Sequence, residues 1–250
     1  LVQTEVQQPA LVATSLAVLA ALNARGITPD YVVGHSVGEF AAIAAANSID
    51  TSEAIGLVRE RGLAMAEAAR ESDGTMAAIL GLDDEVVEEL CAEIEGVWPA
   101  NYNCPGQIVV SGEESAVEKL IHKATALGAR RAVKLKVSGA FHSPLVEKAA
   151  EMLKPAVERV RFTDPVAPFM STVTAKIEPA QRMAGLLVNQ ITAPVKFTQA
   201  AQGLVKEGVK TFVEVGPGNV LSGLLKRIDK TVKAVSVNNV AGLKKVEDSI

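Results

Sequence analysis

Apolar positions recurring every three to four residues alternate along most of the chain with short β-branched runs, the pattern of helices covering parallel strands. Strand candidates for a main sheet are Tyr31-Val32-Val33, Arg131 to Val137, Val166 to Met170, Lys210 to Val215 and Val232 to Val237. Helices are predicted at Pro9 to Ala24, Val37 to Ala46, Ser52 to Glu71, Pro144 to Val160, Ala180 to Gln190, Thr198 to Glu207 and Val220 to Ile228. Between Thr75 and Leu135 the spacing tightens. Met76 to Leu80, Asp84 to Glu95, Val97 to Tyr102 with Gln107 to Ser111, Glu113 to Leu127 and Ala132 onward read as strand, helix, two strands, helix, strand.

That order resembles a ferredoxin-like α+β unit. The predicted organisation is therefore a large α/β domain, residues 1–73 and 137–250, interrupted by a ferredoxin-like subdomain at 74–136. Glu71-Ser72-Asp73-Gly74 and Lys136 to Gly139 are the expected hinges. The apolar run Pro9 to Leu22 is shorter than the roughly 20 residues that cross a bilayer, is interrupted by Thr14 and Ser15, and has no basic leader. It reads as a buried helix.

Composition narrows the function. Of 250 residues, 48% are apolar and 22% charged, enough to bury one large core and too ordered in pattern for a disordered chain. A formal charge of −4 leaves no basic footprint for a phosphate backbone, so nucleic acid is not an expected partner. Neither is a membrane. Cys91 and Cys104 are the only cysteines and show no metal-ligand spacing, which points to a reducing cytoplasm and to no zinc site.

Gly34-His35-Ser36-Val37-Gly38 joins the strand Tyr31-Val32-Val33 to the helix that follows, the strand, sharp turn and helix of a nucleophile elbow. Glycines keep Cβ atoms out of the turn, so that Ser36 Oγ is thrust outward at a helix start. There the Val37 backbone N–H and the helix dipole face the place where an oxyanion would form. A serine hydroxyl needs a base, and the chain has three histidines. His122 lies among charges on a predicted helix and reads as solvated. His35, adjacent to Ser36, would have to fold back sharply and suits a structural role. His142, in Gly139-Ala140-Phe141-His142-Ser143-Pro144, is the candidate base, in a loop whose Ser143 can cap the next helix with Pro144 in its first turn. A base of ordinary pKa, about 6.5, would make activity fall as pH drops through that value.

Arg61 is the other unusual residue. Ala54, Val58, Arg61, Met65 and Ala68 fall on one apolar helical stripe, which sets a cation on the inward side. Its neighbours three and four residues away, Leu57, Val58, Ala64 and Met65, include no acid. A substrate carboxylate near Ser36 is one candidate partner, a distant acid of the fold is another, and Arg59 could be the inward residue instead.

Beyond these residues, Arg61-Gly62 with Met65, Asn101-Tyr102-Asn103-Cys104-Pro105-Gly106-Gln107, Gly139-Ala140-Phe141-His142-Ser143 and Glu214-Val215-Gly216-Pro217-Gly218-Asn219-Val220-Leu221 follow Gly34 to Glu39 in an order that resembles malonyl-CoA:acyl carrier protein transacylases. The likeness runs over essentially the whole chain. It implies a hydrolase-like parallel-sheet domain with a ferredoxin-like insertion, in agreement with the pattern above. It also implies that Ser36 carries malonyl as an ester in a ping-pong cycle, that His142 is base and then acid, and that Arg61 holds the malonyl carboxylate. By the same resemblance the Gln190 main-chain carbonyl orients the imidazole, and Asn103, Phe141 and Met65 line the site, with Phe141 favouring malonyl over a branched acyl group. Malonyl-CoA and an acidic acyl carrier protein with its phosphopantetheine thiol are the implied partners, with no metal or tightly bound cofactor and a monomeric state.

Members of that family begin with a strand and a glycine- and glutamine-rich loop several dozen residues ahead of Leu1, and the loop supplies a second oxyanion donor. The resemblance thus implies a sequence that starts downstream of it, and without such a donor a rate lower by about 10²–10³ is expected. Polyketide and malonate decarboxylase acyltransferases share most of these residues. A serine thioesterase or esterase would use the same elbow with water as acceptor, although 108 residues follow His142 and no evident acid precedes it. A non-catalytic module that binds the carrier protein is the third reading.

Overall fold

In a computed structural model, which describes residues 3–248, helices and strands follow one another in the predicted order with two additions. The elements are α1 (Thr4–Asn23), β1 (Val32–Val33), α2 (Gly38–Ala45), α3 (Thr51–Glu71), β2 (Gly74–Leu80), α4 (Asp84–Glu93), β3 (Val97–Cys104), β4 (Gln107–Glu113), α5 (Glu114–Ala126) and β5 (Arg131–Lys134). After a 3-10 turn at Pro144–Val146 come α6 (Glu147–Glu158), β6 (Phe169–Ser171), β7 (Lys176–Glu178), α7 (Ala180–Asn189), α8 (Phe197–Lys206), β8 (Thr211–Val215), α9 (Val220–Ile228), β9 (Lys233–Val237) and α10 (Val240–Glu247). β7 and α10 carry no expectation from the sequence pattern.

The expected main sheet is present in two pieces. β1 pairs in parallel with β6, which β7 extends antiparallel, while β8 pairs in parallel with β9. Among the described residues, β1 and β8 each have one strand neighbour only, and both line a cleft of about 1410 Å³ between them. The segment Arg131 to Val137, expected in the main sheet as well as at the end of the insertion, contributes only β5, and β5 pairs with β2. Its partner's register, Ala77 opposite Lys134 through Leu80 opposite Arg131, commits it to the smaller sheet.

That smaller sheet is antiparallel in the order β3-β4-β2-β5. α4 and α5 cover one face, burying Val87, Leu90, Val117 and Leu120 against Ile79 and Val110. Alternate residues of a strand face opposite sides, so β2 gives Ala77 and Ile79 to this core and Met76 to a second cluster with Ala100 and Val109. Phe141 packs against that second cluster and against the large core, so it stands where the two units meet.

α1 is longer than predicted, and by length and composition it is apolar enough to cross a membrane. It lies along α3, where Gly62 allows the approach: a Cβ there would come within 2.8 Å of Glu5 Cα. This packing overrides the expectation that Pro9 marks a helix start; the proline sits inside the helix, and Gln8 is buried on the same face as Val12 and Leu16. α3 begins at a capping arrangement in which the Asp50 N–H donates to Glu53 Oε2, and it buries Ala54, Val58, Arg61, Met65 and Ala68 as the stripe predicts.

Candidate active site

Ser36 is at the bend between β1 and α2 with φ +52°, a left-handed conformation that costs a non-glycine residue about 1–3 kcal/mol. The first glycine of the elbow makes this possible. A Cβ on Gly34 would collide with the backbone of Gly38 and Glu39, whereas one on Gly38 would meet nothing within 4 Å. Only one of the two glycines is therefore demanded by packing.

Ser36 Oγ lies 2.8 Å from His142 Nε2, so residues 106 positions apart converge as expected. His142 is buried and itself holds φ +60°. Its loop is fixed from two sides. The His142 backbone N–H donates to the Ile191 carbonyl at 3.1 Å, and the Ser143 hydroxyl donates to the Ala140 carbonyl at 2.6 Å. Ser143 thus tightens the histidine loop and does not cap the helix as the sequence suggests.

On the far side of the ring, Nδ1 faces the Gln190 carbonyl at 2.8 Å and the Ala193 carbonyl at 3.2 Å. Both are pure acceptors, so the proton resides on Nδ1 and Nε2 is left to receive the serine hydroxyl. The segment after α7 that offers these carbonyls is stitched to β3: Tyr102 N–H donates to the Val195 carbonyl and Val195 N–H to the Ala100 carbonyl, each at 2.8 Å. The smaller sheet therefore helps set the imidazole acceptors.

Arg61 is 1% exposed, and its donors converge on the same centre. Nη2 donates to Ser36 Oγ and to Gln190 Oε1, both at 3.0 Å, and Nη1 donates to Gln8 Oε1 at 2.5 Å. Phe40 lies beneath the guanidinium, 5.9 Å from Cζ to the ring centroid. The buried Nε has no partner, and among the described residues no carboxylate is in ion-pair contact with Arg61. Arg59, the alternative inward residue, is exposed and pairs with Glu60. A buried cation with an unfilled donor next to a serine hydroxyl has the donor set that pairs with a small acid.

Electrostatics reinforce this arrangement. Burial lowers the Arg61 pKa to about 10, with the Glu39 charge opposing, so the guanidinium stays charged at neutral pH. Burial first and the Arg61 charge second push His142 down to about 3. The ordinary imidazole value of about 6.5 therefore does not hold here: the ring stays neutral, with Nε2 free of a proton, well below that pH. Burial also lowers His35, whose Nε2 pairs with Asn103 Oδ1 at 2.9 Å and whose ring tilts against Phe197.

Gln8, Glu39 and Ala193 join the site without having been identified from sequence. Gln8 bridges Arg61 and Met65, whose sulfur accepts from Gln8 Nε2 at 3.4 Å, so Met65 sits one step behind the guanidinium. Glu39 is fully buried; burial pushes it up to about 7, against donors from Thr172 and Ser171 and the Arg61 charge. The lone acid of an otherwise apolar helix, Gly38 to Ala45, is the signal that could have found it. Asn103 lines the cleft with His35 and Val37, and the Val37 backbone N–H makes no hydrogen bond among the described residues. His122 is exposed on α5, away from these residues.

The chain is similar to known proteins over nearly its whole length. A family model described as an acyl transferase domain matches residues 1–249. The malonyl CoA-acyl carrier protein transacylase of Bacillus subtilis (strain 168) is 43% identical over 237 residues, covering 93% of this chain and 75% of that protein. The acyl-carrier-protein S-malonyltransferase of Bartonella henselae superposes with a TM-score of 0.94 at 38% identity, over 99% of this chain and 81% of that one. A malonyl-transacylase solved in complex with a type II polyketide synthase acyl-carrier protein superposes at 0.95 with 39% identity, over 99% and 82% of the two chains.

Proposed function

The chain belongs to the malonyl-CoA:acyl carrier protein transacylases, and from that premise we propose that it moves malonyl from coenzyme A to the phosphopantetheine thiol of an acyl carrier protein, supplying fatty acid synthesis. The observation that carries the reading is the convergence on Ser36 Oγ of a neutral, carbonyl-oriented imidazole and a buried guanidinium. In the first half-reaction Ser36 Oγ attacks the malonyl thioester carbon while His142 Nε2 takes the hydroxyl proton. The Val37 N–H, at the start of α2, donates to the oxygen that becomes negative. Collapse of the tetrahedral species expels the coenzyme A thiolate, which takes the proton back from His142. The phosphopantetheine thiol then gives its proton to His142 and attacks the seryl ester, and the serine is regenerated.

Arg61 supplies the substrate selectivity. Its fork receives the malonyl carboxylate, replacing part of the present bonding to Ser36 and filling the Nε donor. Gln190 needs no buried acid to act as orienter, because a carbonyl suffices to select the Nδ1–H tautomer. Phe141, at the junction of the two units, and Asn103 complete the acyl pocket in this reading, with Met65 acting behind Gln8. We read residues 74–136 as the ferredoxin-like insertion and 1–73 with 137–250 as the hydrolase-like domain, acting as a monomer in the cytoplasm without metal or bound cofactor.

The test follows the fate of labelled malonyl. With malonyl-CoA and holo carrier protein, the label should appear on the carrier; release of free malonate with or without carrier would instead make the protein a thioesterase.

A further inference from the structure

Glu39 is fully buried beside the site, and the acyl-transfer steps do not use it. Glu39 lies one turn beyond Ser36 on α2, and its two oxygens face different parts of the molecule. Oε1 accepts from the Thr172 backbone N–H at 2.7 Å, the Thr172 hydroxyl at 3.1 Å and the Ser171 hydroxyl at 3.2 Å, at the end of β6. Oε2 accepts from Gln190 Nε2 at 2.7 Å. The same Gln190 amide presents its Oε1 to Arg61 Nη2 at 3.0 Å, and the main-chain carbonyl of Gln190 holds His142 Nδ1.

We infer that Glu39 is a positioning residue, whose carboxylate fixes which end of the Gln190 amide faces Arg61 and so aims the guanidinium at Ser36. An amide has one accepting and one donating end; Arg61 offers donors only and Glu39 Oε2 accepts, so the carboxylate holds the NH₂ end on the side away from Arg61 and anchors the amide there. Turned over, the amide would set two N–H donors against a guanidinium that offers donors only. The geometry also explains why the acid is not in contact with the arginine. A carboxylate bonded directly to Arg61 would occupy the fork that the substrate acid needs, whereas an amide interposed between them transmits orientation and leaves the fork charged and partly unpaired. Thr172 and Ser171 hold the other oxygen, so the carboxylate cannot rotate to follow Gln190.

This inference rests on Arg61 as the receptor of the malonyl carboxylate, and its test separates the two. Glu39→Gln keeps the volume and satisfies Thr172 and Ser171 through its amide oxygen, but turns an N–H donor toward Gln190. The Michaelis constant for malonyl-CoA should rise at least about tenfold, the loss of one charge-assisted hydrogen bond, while seryl acylation by uncharged acetyl-CoA changes less than about threefold. Gln190→Leu should lower the preference for malonyl over acetyl to a similar extent, read as the ratio of the two rates because Gln190 also orients His142. Because Glu39 acts through the Gln190 amide, Glu39→Gln added to Gln190→Leu should cause no further loss of malonyl preference. This comparison carries the test even where Glu39→Gln alone does not fold.

Equal losses for malonyl and acetyl donors, additive losses in the double variant, or failure of both Glu39 variants to fold would each overturn the inference and make the acid a structural element only. Arg61→Ala is the control. If it too leaves malonyl preference intact, the assignment of Arg61 fails; if it abolishes the preference while Glu39→Gln does not, only the role of Glu39 fails.

Discussion

Replacing Arg61 by alanine removes the buried guanidinium bonded to Ser36, and the structure sets the size of the effect. The side chain is 1% exposed, so a malonyl carboxylate bound there is shielded from water, and each charge-assisted hydrogen bond is worth about 1.5–3 kcal/mol. With the two bonds of a bidentate pair, less the bonding to Ser36 and Gln190 that substrate displaces, the net loss is about 3–4 kcal/mol, or roughly 10²–10³ in kcat/KM for malonyl-CoA. An acetyl donor forfeits none of this and should lose less than about tenfold, through the missing donor to Ser36 Oγ. The truncation also leaves Gln8 Oε1 and Gln190 Oε1 without their donor and Glu39 without its nearby positive charge, a stability cost of about 2–4 kcal/mol. Rates of seryl acylation by malonyl-CoA and acetyl-CoA, read by intact mass on protein shown folded by thermal unfolding, give both quantities. Parallel falls for the two donors would refute the carboxylate-receptor reasoning.

The remaining predictions concern protonation and the elbow. His142 in the folded protein protonates only near pH 3, so seryl acylation should show no imidazole-controlled acid limb between pH 8 and 5; an NMR titration placing this ring near 6.5 would contradict that. The same depression has a stability consequence. The unfolded chain takes up this proton near 6.5 while the folded one does not, so the His142 contribution to stability is intact above 6.5 and is lost progressively as pH falls towards 3. Urea midpoints for the wild type and His142→Gln should converge or cross over that interval, and parallel curves would refute the linkage. Gly34→Ala should lower the melting temperature sharply or prevent folding, whereas Gly38→Ala should be neutral or stabilising by up to about 1 kcal/mol; equal effects would show that the elbow does not depend on the first glycine.

Legibility in the sequence followed the range of each interaction. The elbow, the Arg61 stripe and the strand-helix order from Gly74 to Lys134 are local patterns, and the structure shows each of these elements where the pattern expects it. The pairing of Ser36 with His142 came from the chemistry of a serine that lacks a base, not from spacing. Gln8 was missed because Pro9 looked like a helix start, and only packing of α1 on α3 at Gly62 draws the preceding turn into the helix. The task of Glu39 is not visible in the sequence, since its partners are Thr172 and Gln190, more than a hundred residues away. Ala193 acts through a main-chain carbonyl, which leaves no mark in the residue type. The separation of the parallel strands into two pieces was equally invisible, because β-branched runs report strands and not their neighbours.

The oxygen that receives the acyl group decides whether Ser36 is the nucleophile. Brief incubation with malonyl-CoA, acid quenching and peptide mapping by mass spectrometry should find a single malonyl ester on Ser36, discharged when holo carrier protein is added and absent in the Ser36→Ala variant. A stable adduct on another residue, or transfer to the carrier that proceeds at the wild-type rate in Ser36→Ala, would contradict it.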